Sequence, residues 1–269
     1  MIRIFVGCAS GDDLESQAVL EYSLRKHCSE PVDITWMALS GDPSSPFYSN
    51  GGAGWQTQRW STPFSGLRWA IPALCGGEGR AIYLDSDVIV LGDIAELWGQ
   101  EFRPGKFVMA KGGAEAWRFC VSVWDCAAAI SHMHNSRDLR ARPDAHQAMI
   151  AKMRQSSGVQ AFDGAWNVID GEDYPSTDDP RIKLLHYSAE NTQPHLKYAL
   201  PRLAAEGRKH WFDGTVRTHW RADVVSLFDG VLAEAVAAGC APENYAPARP
   251  FGPYKIQSHS GYVAHKWAR

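Results

Sequence analysis

The chain has 269 residues, with 27 Lys and Arg against 30 Asp and Glu for a formal net charge of −3, and 45% of its residues are hydrophobic. That length suits one large α/β domain, or one domain with an appended subdomain. The near-neutral balance argues against a broad nucleic-acid-binding face, so a phosphate-bearing ligand must be held by a local site.

Residues 2–6 form a short β-rich run that ends in the stretch 7–11, bracketed by Gly7 and Gly11, and Asp12 with Glu15 reads as a helix cap followed by its capping-box acid. A helix to about His27 and a second strand at 31–39 follow, so the chain opens β-loop-α-β, the unit of a parallel sheet covered by helices. Residues 40–61, rich in Gly, Pro, Ser and Asn, read as a long functional loop. Thr62 and Pro63 start a helix whose apolar face is Phe64, Leu67, Ile71 and Leu74, bent near its end by Pro72. The glycines of 76–79 break it, and residues 81–91 read as an apolar strand interrupted by Asp85, Ser86 and Asp87. A short helix at 94–98, strands at 106–110 and 119–124, a helix at 143–153 and a strand at 181–188 come next. Residues 223–238 give the clearest helix, capped by Asp223 and closed by Gly239, and the chain beyond reads as a loosely organised tail.

No apolar run approaches the roughly 18 residues of a membrane span, and residues 1–7 lack the apolar core and cleavage site of a secretory leader. The cytosol is the expected compartment, with peripheral contact at the inner face of the membrane left open. The six cysteines, Cys8, Cys28, Cys75, Cys120, Cys126 and Cys240, contain no CxxC pair and read as reduced, mostly buried side chains. The 11 tryptophans read chiefly as packing, although their flat faces also suit a sugar cleft.

Asp85 and Asp87 are the most informative pair. In extended chain they point to one side about 7 Å apart, and two carboxylates at the mouth of an apolar strand are costly without a cation between them. Mg²⁺ or Mn²⁺ accepts such ligands and bridges to substrate phosphates. Three uses compete: a turn cap, the nucleophile and acid of an aspartyl-nucleophile phosphatase with Asp178 and Asp179 as a later acidic pair, or the ion site of a nucleotide-sugar transferase.

The third use gains a specific likeness. Residues 61–74, which carry Arg68, and residues 79–98 around Asp85-Ser86-Asp87 resemble the retaining glycosyltransferases of family 8, the galactosyltransferase and glycogenin relatives. Residues 119–126 resemble the family's next strand, Trp166-Asn167-Val168 its W-N segment, and residues 184–194 its metal-histidine motif, so the likeness runs over residues 2–198. It implies a GT-A α/β fold, a Rossmann-like mixed sheet flanked by helices, over residues 1–200. Residues 201–269 would form a helical or irregular extension on the acceptor or membrane-surface side.

The same resemblance implies Mn²⁺ or Mg²⁺ held by Asp85, Asp87 and His186, and a UDP-sugar donor met by Arg68, Asp85 and Ser86 and by Cys8, Ala9 and Ser10 of the first loop. Gln147 stands where the family carries D-Q beside the reacting sugar, so Gln147 and Asp87 are the implied catalytic residues. The implied reaction is metal-dependent transfer of a hexosyl group, with retention, to a glycan, lipid-linked or small-molecule acceptor, the leaving phosphate helping to deprotonate that acceptor. The 40–61 loop and the C-terminal tail are the candidate lid and acceptor platform. Four positions depart from the family. His146 replaces an acid, Cys120 replaces an Asn, the first loop lacks the acid that reads uracil, and Gln193-Pro194-His195 replaces K-P-W, so that Lys197 substitutes for the lost phosphate-binding Lys or the diphosphate leans more on the metal, with Gln193 and Lys197 counted among the donor-binding residues. These departures keep a second reading in play, a nucleotide-sugar-binding protein without turnover.

Overall fold

The structure, a computed structural model, describes residues 1–269 except 51, 113–115, 253 and 255–269. Most of the expected tail beyond 251 therefore lies outside the described residues. Strand β1 (Ile2–Gly7) leads through a buried turn into α1 (Leu14–His27), and β2 (Val32–Met37) returns parallel to β1. The long loop after it holds a small hairpin, β3 (Ser49–Asn50) with β4 (Ala53–Gly54).

The helix expected from residue 62 is a 3-10 turn, Leu67–Ala70, that runs straight into the single α-turn α2 (Ile71–Leu74). Pro72 has no N–H to offer the Arg68 carbonyl four residues back. Ile71 takes that carbonyl instead, which is 3-10 spacing.

The run 81–91 is likewise not one strand. Strand β5 (Arg80–Asp85) pairs parallel with β1, whereas β6 (Val88–Val90) belongs to another sheet. Next come α3 (Ile94–Trp98), β7 (Val108–Gly112), β8 (Trp117–Asp125), α4 (Cys126–Ala129), α5 (Ser136–Ala141), α6 (Ala145–Gln155) and β9 (Val159–Ala161). The chain continues with β10 (Val168–Ile169), β11 (Leu184–His186), α7 (Leu196–Ala205) and α8 (Ala222–Ala237). The main sheet has the order β2-β1-β5-β8-β7-β9 and mixes parallel and antiparallel pairs, and a three-stranded sheet has the order β10-β11-β6. Ser86 is the crossing between the two sheets. Its N–H donates to the Gly7 carbonyl at 2.9 Å, and the Asp87 carbonyl accepts from the Tyr187 N–H at 3.1 Å, so the crossing is fastened on both sides.

Period-2 alternation sets the core on each face of the main sheet. Ile4, Val6, Ile82 and Leu84 pack with Leu20 and Leu24 of α1 on one face, while Phe5, Tyr83 and Trp124 pack with Trp69 on the other. A third cluster joins Val224, Phe228 and Leu232 of α8 to Ala18 and Val19 of α1 and to Ile89 and Leu185 of the small sheet, so the C-terminal helix packs on the same body. Helix α7 has no counterpart among the expected elements, and it carries Pro201 inside it. Helix α8 begins one residue before Asp223, with Arg221 as its cap, and at the far end Gly239 adopts φ +87° just past Ala238. All six cysteines are free, and among the described residues no helix is long and apolar enough to cross a membrane.

Candidate active site

Strand alternation puts Tyr83 and Asp85 on one face of β5, and the Tyr83 hydroxyl donates to Asp85 Oδ1 at 2.6 Å. The 3-10 turn aims Arg68 at the same carboxylate, with Nη2 at 3.1 Å from Oδ1 and 3.4 Å from Oδ2. Its Nε donates to the Ser65 carbonyl at 3.0 Å, and the guanidinium lies 4.8 Å above the Tyr83 ring. Burial lifts the Asp85 pKa above its ordinary value; Arg68 opposes that lift and Asp87 adds to it.

Across Ser86, Asp87 meets the small sheet. Gln193 Nε2 donates to Asp87 Oδ2 at 2.7 Å, and His186 Nε2 lies 3.1 Å from Asp87 Oδ1. His186 Nδ1 lies 3.0 Å from Asn167 Oδ1. That oxygen is an acceptor, so Nδ1 carries the ring proton and a neutral ring turns a bare Nε2 toward Asp87. Two lone pairs then face each other, and a proton or a cation must lie between them. Asp87 Oδ1 is also a buried oxygen without a hydrogen-bond partner. Burial lowers the His186 pKa, but Asp87 and then Cys120 outweigh it and hold the ring well above its ordinary value.

Cys120 reaches this point through strand register. Leu84 pairs with Val121 across β5 and β8, so the next step sets Asp85 beside Cys120. Ligand atoms of Asp85, Cys120 and His186 lie within 4.8 Å of one another. The Asp85 carboxylate and the His186 imidazole fit a divalent ion, and Asp87 stands beside them with a buried Oδ1 that lacks a hydrogen-bond partner.

Five of the expected site residues, Arg68, Asp85, Asp87, His186 and Gln193, thus converge, with Ser86 supplying the backbone between the acids. Lys197 does not join them: it pairs with Asp229 on α8 and lies over the Tyr198 ring. Gln147 also stands outside this hydrogen-bonded group. Its Nε2 donates to the Arg59 carbonyl, and its Oε1 is buried without a partner. The preceding His146 accepts from Trp69 Nε1 at 2.8 Å, and burial, followed by the charge of Arg68, pushes its pKa down to about 3. Asp179 is bound to Arg181 in an exposed turn, so the late acidic pair of the phosphatase reading does not join Asp85.

The first loop is occupied by the protein itself. The Cys8 thiol is buried, which pushes its pKa up, the Ala9 N–H donates to Asp13 Oδ2 at 3.3 Å, and Ser10 Oγ accepts from the Phe251 N–H at 3.0 Å. No capping box forms. Asp13 at the N-cap makes no side-chain cap bond, and Asp12 instead accepts from Arg208 and from the Trp211 N–H, both at 2.8 Å. Asp13 Oδ1 lies 3.0 Å from His210 Nε2 and 3.4 Å from His195 Nε2.

Those three side chains also have ligand spacing, but they do not suit a metal. His210 Nδ1 accepts the Phe212 N–H at 3.0 Å, so Nε2 holds the ring proton and donates to Asp13. The Asp13–His210 bond, with the contacts of Asp12 to Arg208 and Trp211, fastens the first loop to residues 208–211, and nothing in the local pattern of Asp12 and Asp13 signals it. Above the loop, Pro250 bridges to Ser40, and Tyr254 Oη contacts the Trp60 carbonyl at 3.3 Å. The 40–61 loop, the candidate lid, therefore touches the described part of the C-terminal tail, the candidate acceptor platform. A cleft of about 460 Å³ opens beside Ala9, Ser10, Trp36 and Tyr245.

Solved structures similar to this one are glycosyltransferases. The bifunctional glycosyltransferase WbbM superposes with a TM-score of 0.55 at 15% identity, covering 72% of this chain and 46% of its own. The galactosyltransferase LgtC, in complex with donor and acceptor sugar analogs, gives 0.54 at 11% identity, covering 87% and 96%. The fold is GT-A. GlyE of Streptococcus pneumoniae superposes on this GT-A chain with a TM-score of 0.53 at 16% identity, covering 89% and 65%. No family model matches. Among curated proteins, Protein CDI of Arabidopsis thaliana is 37% identical over 97 residues, and the chain spans about a third (35%) of that relative's length.

Proposed function

We propose that this GT-A protein is a glycosyltransferase of the family 8 type that moves a hexosyl group from a UDP-sugar to a glycan, lipid-linked or small-molecule acceptor, with a divalent ion and with retention of configuration. The observation that carries the reading is the convergence of Asp85, Asp87 and His186, with the His186 ring anchored on Asn167 and its Nε2 facing Asp87 Oδ1 at 3.1 Å. When bound, Mn²⁺ or Mg²⁺ supplies charge stabilisation to a departing diphosphate. Asp85, Asp87 and His186 are the residues to hold it.

Arg68 fixes Asp85 and brings a guanidinium to the donor side, where its planar donors suit ribose or phosphate oxygens. Gln193 holds Asp87 by its second oxygen and stands where the diphosphate is expected. Gln147 carries a buried amide oxygen without a partner, a dipole available to positive charge developing at an anomeric carbon. On this reading the base lies against Ala9 and Ser10, and the hydrogen bond from the Phe251 N–H to Ser10 Oγ supports a role for that segment beside it.

The test is release of UDP from a panel of UDP-sugars in Mn²⁺, with and without Asp87→Asn. The expected result is release that the substitution abolishes. The absence of release from every common donor sinks the enzyme reading. Donor-dependent thermal stabilisation without release would instead identify a binding protein without turnover.

A further inference from the structure

We propose that Cys120 is a further protein ligand of the ion at Asp85, Asp87 and His186, and that its sulfur makes this site prefer thiophilic ions such as Co²⁺, Zn²⁺ and Cd²⁺ over Mg²⁺. The proposal rests on the reading of these residues as an ion site and adds a donor of different chemistry to it. The β5–β8 register puts Cys120 next to Asp85, and its Sγ lies within 4.8 Å of the ligand atoms of both Asp85 and His186. Bonds of about 2.0–2.3 Å from one ion to nitrogen, oxygen and sulfur set ligand atoms about 3.3–4.5 Å apart, so side chains whose ligand atoms lie within 4.8 Å of one another need move little to share an ion.

Asn167 supplies the second, independent observation. It is fully buried, and its one amide serves two neighbours. Oδ1 receives the His186 Nδ1–H, and Nδ2 donates to Cys120 Sγ at 3.2 Å. A donor aimed at sulfur treats that sulfur as an acceptor, as it is in a metal thiolate. One side chain thus orients two ligands of the same ion, the role an outer-shell residue plays around bound metals. Oxygen and imidazole donors alone accept Mg²⁺ or Mn²⁺, whereas a thiolate shifts preference to softer ions. Binding forms one metal–sulfur bond, breaks one S–H bond and releases one proton to solvent, with no change of oxidation state.

The test is titration of the full chain with Co²⁺, followed by the near-ultraviolet sulfur-to-cobalt charge-transfer absorption, by equilibrium dialysis and by proton release. The expected result is a charge-transfer band that saturates at one Co²⁺ per chain. In Cys120→Ser the band vanishes, Co²⁺ binds on the order of 10- to 100-fold more weakly, and Mg²⁺ affinity stays the same. A wild-type protein that binds one Co²⁺ without the band overturns the proposal without recourse to any variant, as does a band that persists in Cys120→Ser. Either result leaves the donor-ion site standing if Asp87→Asn still abolishes Co²⁺ binding. Failure of both Co²⁺ and Mn²⁺ to bind the wild type overturns the proposal and the ion site together.

Discussion

Replacing Arg68 by Met removes the guanidinium that faces Asp85 and leaves a buried carboxylate held by the Tyr83 hydroxyl. The two side chains are 11% and 13% exposed, which puts the pair among buried ion pairs, where loss of one partner costs about 3–5 kcal/mol. At about 2.1 cal/mol/K of unfolding entropy per residue, a chain of 269 residues should melt about 5–9 °C lower. The sign of the pH dependence is fixed as well. A carboxyl whose folded pKa is raised binds its proton more tightly in the folded state, so ionising it costs stability as pH rises, and protonation restores that stability as pH falls. Asp85 already lies on the raised side because of burial, and loss of Arg68 raises it further. The deficit of Arg68→Met is therefore larger in mild alkali than in mild acid. Thermal unfolding followed by circular dichroism in EDTA, at several pH values, measures it. Adding Asp85→Asn to Arg68→Met should recover most of the lost stability. A loss below about 1 kcal/mol, the range of surface pairs, or a double variant no more stable than Arg68→Met, would refute the reasoning.

His146 should remain neutral between about pH 5 and 8, the range in which an ordinary histidine titrates, because burial pushes its pKa down to about 3. Its ring resonances in a histidine-selective NMR titration should stay flat there, and a midpoint near 6.5 would contradict the buried Trp69–His146 bond. A depressed histidine of this kind gives stability above its unfolded pKa and loses it as pH falls toward the folded value. Gly158→Ala drives a Cβ into the Phe107 ring, so overpacking should cost about 1–3 kcal/mol or more, seen as a lower denaturant midpoint. An unchanged midpoint would show that Phe107 moves freely.

The parts of the site legible in the sequence are those whose signal is local. Asp85, Ser86 and Asp87 stand together in an apolar run and draw attention by themselves, whereas Arg68 and His186 were joined to them only by the resemblance to family 8, since each alone reads as an ordinary ion pair or core histidine. The opening strand, first helix and second strand were legible from local signal too. Interactions made at long range were not. Asp12 and Asp13 carry a helix-cap pattern, but residues near 200 claim both carboxylates, and a tertiary bond overrides a weak local preference. Lys197 looked available from its place after the histidine motif, yet the helix it sits on turns it toward Asp229. Pro72 left the apolar stretch after residue 62 as a 3-10 turn followed by a single α-turn, whereas Pro201 sits inside a continuous helix, because one ring is a poor guide to where a backbone bends or continues.

The crossing at Ser86 gives the two acids an unusual guardian. The gap between Asp85 and Asp87 is set by the spacing of two sheets, each pinned to its own side of one serine. It is a gauge of how the halves of the molecule sit together. A packing fault far away, in either sheet, should misalign the carboxylates before it unfolds the chain, so weakened binding at the proposed ion site would be the earliest symptom of damage to the core.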